Sequence, residues 1–181
     1  MPPDAGASLP SVSVIIPSYN CASVLGAALD SIRAQGRQTE VVIVDDGSTD
    51  DTAAVVERFR AGSGLPVVYL PQKNRGPSAA RNAGARQASG RYCVFLDADD
   101  RFLPEAFDRF EAAFRRHGEI DMIFGGFVDC PDDTHILEAV AAIRDDFCIS
   151  QNAIGEVVEL LSHLVLRVKT FVLDSYCGFV S

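Results

Sequence analysis

The sequence lacks any cysteine pair at C-x-x-C spacing, any apolar run approaching a membrane span, and any excess of positive charge. Its five cysteines (Cys21, Cys93, Cys130, Cys148 and Cys177) are odd in number and scattered. That argues against both a metal–thiolate centre and a disulfide framework, and a reducing cytoplasmic location is expected. A transmembrane helix needs about 20 apolar residues in succession, so no transmembrane segment is expected. The first ten residues, MPPDAGASLP, show neither the basic nor the apolar region of a secretory leader and read as a flexible tail. A formal net charge of −9 argues against a nucleic-acid partner, which calls for a basic face. The first apolar run is followed by Ser-Tyr-Asn and not by G-x-G-x-x-G, which disfavours a dinucleotide-binding dehydrogenase. No G-x-x-x-x-G-K-[ST] occurs, so a P-loop enzyme is excluded. There is no internal repeat and no low-complexity tract.

What is present is an ordinary globular composition, 48% hydrophobic and 23% charged, in a 181-residue chain long enough to bury one sizeable core. The run SVSVIIP is almost continuously apolar and β-branched, as suits a strand covered on both faces of a parallel sheet. Asn20 or Ser23 can cap the helix that follows, with Leu25, Leu29 and Ile32 at helical spacing. VVIVDDGSTDD repeats the pattern of strand, turn and helix, with Val55, Val56 and Phe59 facing inward. LPVVYL reads as a third strand, GPSAARNAGARQASG as an Ala-rich helix opened by Pro77 and closed by Gly90, and YCVFL as a fourth strand. A helix with Phe107, Phe110 and Phe114 on one face and a fifth strand, MIFGGFV, complete the alternation. Alternating strands and helices predict an α/β fold with a mainly parallel sheet and helices on both faces. Residues 130–181 are expected to be mainly helical. The apolar stripe over 153–171 reads as core packing or as a docking face for a membrane surface.

In such a sheet, ligands bind beyond the carboxyl ends of the strands. Three strands here end in polar punctuation, at Ser18-Tyr19-Asn20, Asp45-Asp46-Gly47 and Asp97-Ala98-Asp99, and their tips should converge on one crevice. Asp97, Asp99 and Asp100 lie within four residues and would repel one another without a positive partner. Clustered carboxylates with no nearby imidazole suit a hard divalent cation, Mn²⁺ or Mg²⁺, shared with substrate phosphates. The other reading is a turn whose aspartates cap the next helix. From Ala61 to Leu96 the chain has no carboxylate but carries Lys73, Arg75, Arg81, Arg86 and Arg91. This is either a solvated helix face or a local field for an anion. Gly76 and Pro77 open that helix, where free N–H groups favour phosphate, and Arg75 and Arg81 add charged donors. Tyr19 offers a ring face for a base, and Asp46 an acceptor for a base imide.

VSVIIPSYN, VVIVDDGSTDDT, NRGPSAARNAG and FLDADD, in this order and spacing, resemble the family-2 glycosyltransferases of GT-A fold. The resemblance covers residues 11–129 and implies a nucleotide-sugar-binding core there, with 130–181 as an altered or truncated acceptor-side segment. It implies a nucleotide-diphospho-sugar donor, a UDP-sugar first, and a saccharide or lipid-linked acceptor, as in polysaccharide biosynthesis. By position it places Pro17 and Tyr19 beside the base and Asp46 on its imide nitrogen. Arg75 or Arg81 would lie near the diphosphate, Asp97 near the ribose or donor sugar, and Asp99, in the DXD position, on the metal. The resemblance also implies a catalytic base in a Glu-Asp pair, and this sequence has none. Asp132, Asp133, Asp145 and Asp146 are available but come earlier than that base should, so the catalytic residue stays unassigned. A non-catalytic donor-binding module is the alternative, and peripheral contact with the inner membrane face through 153–171 would suit either reading.

Overall fold

A computed structural model of the chain describes residues 12–117, 122–124, 148–150 and 170–174. In chain order the elements are β1 (Val12–Ser18), α1 (Ala22–Arg33), β2 (Thr39–Asp45), α2 (Thr52–Ser63), β3 (Val67–Pro71) and α3 (Pro77–Gln87). They are followed by β4 (Tyr92–Leu96), α4 (Ala106–His117), β5 (Met122–Phe124), β6 (Cys148–Ser150) and β7 (Thr170–Asp174). The strands form one sheet in the order β3-β2-β1-β4-β7-β5-β6. The first four run parallel, while β7 is antiparallel to both β4 and β5.

The nearly unbroken apolar runs form the strands that are covered on both faces, and the two-residue period of a strand sorts their side chains. Val14, Ile16, Val41, Ile43, Val94 and Leu96 join α1, α2 and α4 in one core. Ile15, Val42, Val44, Cys93 and Phe95 face α3 on the other side. α3 lies very close to the sheet: a Cβ on Gly84 would stand 2.4 Å from Ile15 Cγ2 and 3.1 Å from Val44 Cγ2. Its buried residues are accordingly the small Ala80, Gly84 and Ala85. On the opposite face Phe102 and Phe107 pack edge to face at 5.0 Å, closing the segment between β4 and α4.

The caps differ from the expectation. α1 starts at Ala22, and neither Asn20 nor Ser23 caps it. Asp50 does so from 28 residues away, Oδ2 accepting the Ala22 N–H at 2.9 Å. Its Oδ1 accepts the Thr52 N–H at 3.1 Å, so the same carboxylate serves the first turn of α2. Asp100 does not cap the next helix, because α4 begins only at Ala106. Gln35 Oε1, at the end of α1, accepts the Phe107 N–H in its place. The helical stripe read over 153–171 gives way to β7 at Thr170 and Phe171. Strand pairing there, Leu96 to Thr170 and Phe95 to Phe171, overrides a helical spacing that has no local cap to enforce it. The rest of that stripe and the helix expected after Asp129 lie outside the described residues.

Candidate functional site

Strand order reverses direction between β1 and β4, the place where an open parallel sheet leaves a crevice beyond its strand ends. The parallel pairing brings the tips of β2, β1 and β4 side by side at that edge. Pro17 is one reason the crevice opens there. It has no N–H to offer a neighbour, and β1 pairs with β4 only as far as Ile15 and Phe95.

The tip loops are tied to one another. The Asp46 N–H donates to the Ser18 carbonyl at 2.8 Å, and the Gln72 N–H to the Asp45 carbonyl at 2.8 Å, extending the ladder past the strands. Asn20, left-handed at φ 52, donates its N–H to Ser48 Oγ and accepts the Thr49 N–H on Oδ1. Gly47 has φ 85, and a Cβ there would approach Asn74 N at 3.2 Å, so the β2 tip requires glycine. Tyr19, by contrast, is 50% exposed at the rim.

The two carboxylates at the β2 tip are buried and committed to protein donors. Asp45 accepts the Ser48 N–H at 2.8 Å and the Tyr69 hydroxyl. Burial, and then that bond to Asp45, push the Tyr69 phenol well above its ordinary value. Asp46 is 4% exposed. Its Oδ1 accepts Gln72 Nε2 at 2.6 Å and the Arg75 N–H at 2.9 Å, and its Oδ2 accepts the Gly76 N–H at 2.8 Å. Burial pushes the Asp46 carboxyl up, but the Gln72 amide, the two backbone donors and the Arg75 charge outweigh it and hold the group below the usual carboxylate range. Asp46 therefore stands at the tip where a base-side residue was expected and also anchors the 72–76 loop, with one acceptor position left on Oδ2. It also takes the Gly76 N–H at the entry of α3 that had been expected to face a phosphate. The Arg75 side chain remains exposed beside that helix start.

Two groups of the β4 tip alternate with the core: Ala98 is buried, while Asp97 is half-buried and Asp99 exposed. The positive partner among these carboxylates is Arg81 of α3, whose Nη2 lies 2.5 Å from Asp97 Oδ1. Arg81 is thus engaged with Asp97. Asp99 makes no protein hydrogen bond among the described residues. Among the described residues no three His, Cys, Asp or Glu side chains converge to hold a metal by themselves. A hard oxygen donor with no protein partner among the described residues, at the rim of a crevice, fits a cation completed by phosphate oxygens. Asp132, Asp133, Asp145 and Asp146 lie outside the described residues.

Reasoning from the sequence missed Asp50, Tyr69 and Gln72. Gln72 had a readable signal, since it is the polar residue directly after an apolar strand, as at the other three tips. Asp50 and Tyr69 act through partners far along the chain, for which no local pattern exists.

The model of the family described as Glycosyl transferase family 2 matches residues 13–152, past the end expected for the core at Asp129. An uncharacterized glycosyltransferase of Mycoplasma pneumoniae is 40% identical over 119 residues, 64% of this chain and 38% of that protein. The structure of Staphylococcus aureus TarS 1–349 in complex with UDP-GlcNAc aligns at TM-score 0.55 and 35% identity, over 62% of this chain and 33% of that one. A mannosyltransferase from Pyrobaculum calidifontis, solved with GDP-Man and Mn²⁺, aligns at TM-score 0.58 and 27% identity, over 92% of this chain and 50% of that one. The fold is the α/β arrangement of these GT-A glycosyltransferases, and the chain spans from a third to a half of the length of the three relatives. No helix among the described residues is long and apolar enough to cross a membrane.

Proposed function

The chain belongs to glycosyl transferase family 2, and from that premise we propose that it binds a nucleotide-diphospho-sugar, a UDP-sugar first, and transfers the sugar to a hydroxyl of a saccharide or lipid-linked acceptor. The observation that carries this reading is the juxtaposition at the β1–β4 reversal. Asp97 and Asp99 stand on the β4 tip, and Arg75 stands with the start of α3 beyond the tip of β2. The TarS and Pyrobaculum structures, solved with UDP-GlcNAc and GDP-Man, support a donor of this class.

In this reading Pro17 and the Tyr19 ring border the base, and Asp46 accepts the base's imide N–H. The Arg75 guanidinium and the first turn of α3 face the diphosphate, where positive charge stabilises the leaving group as it departs. Asp97, steadied by Arg81, lies near the ribose or donor sugar. Asp99 would hold Mn²⁺ or Mg²⁺, which when bound neutralises charge on the departing diphosphate. The acceptor hydroxyl must lose a proton as the new glycosidic bond forms, the task of a carboxylate general base that stays unassigned. Cytoplasmic action is part of the same proposal, resting on the scattered cysteines.

Calorimetric titration of the protein with UDP, in Mn²⁺ and in chelator, tests the donor reading. Binding strengthened by Mn²⁺ is expected, absence of binding in both buffers overturns the donor, and equal binding overturns the metal. The second reading, donor binding without transfer, is favoured by the lack of a Glu-Asp pair. Release of UDP from a UDP-sugar, with and without saccharide acceptors, separates the two.

A further inference from the structure

Between the β4 tip and α4 the chain is held by the end of α1. Ser31 Oγ accepts the Phe102 N–H at 3.0 Å and donates to the Ala28 carbonyl at 2.6 Å. Gln35 Nε2 donates to the Leu103 carbonyl at 3.1 Å and to the Ser31 carbonyl at 3.2 Å, while its Oε1 accepts the Phe107 N–H at 3.3 Å. Two carbonyls and one N–H fix which way the amide faces, so one side chain closes both ends of the 103–107 span. The span needs closing. Glu105 is left-handed at φ 63, a conformation that is strained for a residue with a Cβ and persists only where neighbouring contacts enforce it. Phe102 and Phe107, buried on either side of it, meet edge to face.

Upstream of that span lies the turn that carries the exposed carboxylate. The Asp100 N–H donates to the Asp97 carbonyl at 3.0 Å, so Ala98 and Asp99 are the two central residues of a β-turn. Ala98 is buried in the core that also holds Phe102, and Asp97 is tied to α3 through Arg81. The Asp99 carboxylate has no partner among the described residues. Where it stands is therefore set by the backbone, between the fixed points at Ala98 and Phe102. We propose that Gln35, together with Ser31, is a positioning residue for the cation at Asp99, fixing from the end of α1 the segment that holds the Asp97–Asp100 turn in place. This rests on the metal reading of Asp99 above and deepens it. A cation shared between one carboxylate and phosphate oxygens tolerates little error in where that carboxylate stands, about 0.2 Å in each coordination distance. Releasing the span would spread the positions open to Asp99 and leave the metal-free contacts of a nucleotide untouched.

The test titrates UDP, in Mn²⁺ and in chelator, into the parent protein and its variants, with thermal unfolding checking that each is folded. Gln35→Ala and Ser31→Ala should each cut the gain in affinity that Mn²⁺ brings by up to about tenfold, the lower end of what losing a residue behind a metal ligand costs. Affinity in chelator should stay at the parent value. Ser31→Thr keeps a hydroxyl that can bond the Ala28 carbonyl and take the Phe102 N–H, and should keep the parent gain. Val56→Ala opens a cavity at a fully buried position of α2, away from the turn, and should lower the unfolding temperature with the gain intact. Hydrogen exchange of the metal-free protein gives a second readout. The Asp100 amide should exchange faster in Gln35→Ala, while the amides of β1 and β2 keep their protection. If Gln35→Ala does not fold, the two Ser31 variants decide. A parent-like gain in the folded alanine variants overturns the proposal and leaves the metal reading standing. So does an equal loss in Val56→Ala, or a loss of the same size in chelator. A parent whose UDP binding Mn²⁺ does not strengthen overturns the metal reading itself, and this inference with it.

Discussion

Arg81 and Asp97 are ion-paired across the gap between α3 and the tip of β4, with guanidinium and carboxylate 2.5 Å apart and each side chain about 30% exposed. The pair explains how a strand can end in clustered carboxylates before any cation arrives. One of the charges is already matched from within the chain. At this exposure, solvent screening limits the pair to about 0.5–1 kcal/mol. A double-mutant cycle of Arg81→Ala and Asp97→Ala, read by urea unfolding, should return a coupling energy of about that size. Strict additivity would show that the pair adds nothing to stability.

Two glycine-to-alanine substitutions should have opposite signs. Gly84→Ala drives a methyl to 2.4 Å from Ile15 Cγ2 at the α3–sheet contact. It should cost about 1–3 kcal/mol, the usual penalty of overpacking. Gly26, inside α1, would place its Cβ with nothing within 4 Å. Gly26→Ala should therefore gain up to about 1 kcal/mol from helix propensity alone. Urea midpoints of the two variants decide, and a stabilising Gly84→Ala would mean that α3 stands off the sheet.

Stability should fall in acid for a nameable reason. The Asp50 carboxyl is held below the ordinary range by the Thr52 hydroxyl and then by the Ala22 N–H, and Asp46 is likewise depressed. For depressed carboxyls the unfolded chain takes up protons first, near its ordinary pKa of about 3.9. Their contribution is therefore complete above that pH and drains away as pH drops through it and on through the lower folded values. Asp50→Asn should shrink the difference in urea midpoint between pH 7 and pH 3. An unchanged pH slope would remove Asp50 from the acid response.

Asp99→Ala should abolish most of the gain that Mn²⁺ brings to UDP binding while leaving metal-free binding near the parent value. Its carboxylate has no partner to lose among the described residues, so folding should be unaffected. Enhancement at the parent level in this variant would move the metal to other residues.

Much of the fold around the proposed donor site was legible because buried parallel strands advertise themselves as apolar runs, and their tips as the polar residues that end them. Pro17, Tyr19, Asp46, Asp97 and Asp99 fall at strand tips, Arg75 in the loop that leads into α3, and Arg81 on α3. Partnership was not legible. Arg81 pairs with a carboxylate 16 residues on, and Asp46 with a loop 26–30 residues away, through contacts that only the tertiary fold creates. The same holds for β7, a five-residue strand that pairs between β4 and β5. So short an apolar segment reads equally as helix or strand until its neighbours are known.

Asp50 terminates two helices with one side chain, and those helices belong to successive strand–helix units whose loops carry Tyr19 and Asp46. The two loops are therefore a single mechanical part. In hydrogen exchange, the amides of Ala22 and Thr52 should open together whenever the Asp50 side chain turns away, because its two oxygens hold one amide each. The same carboxylate joins the rim at Tyr19 to the anchor at Asp46, so that wall of the crevice is a stiff frame. On the proposed reading, a nucleotide would meet a wall already held in place, so that little ordering entropy would be spent when it binds.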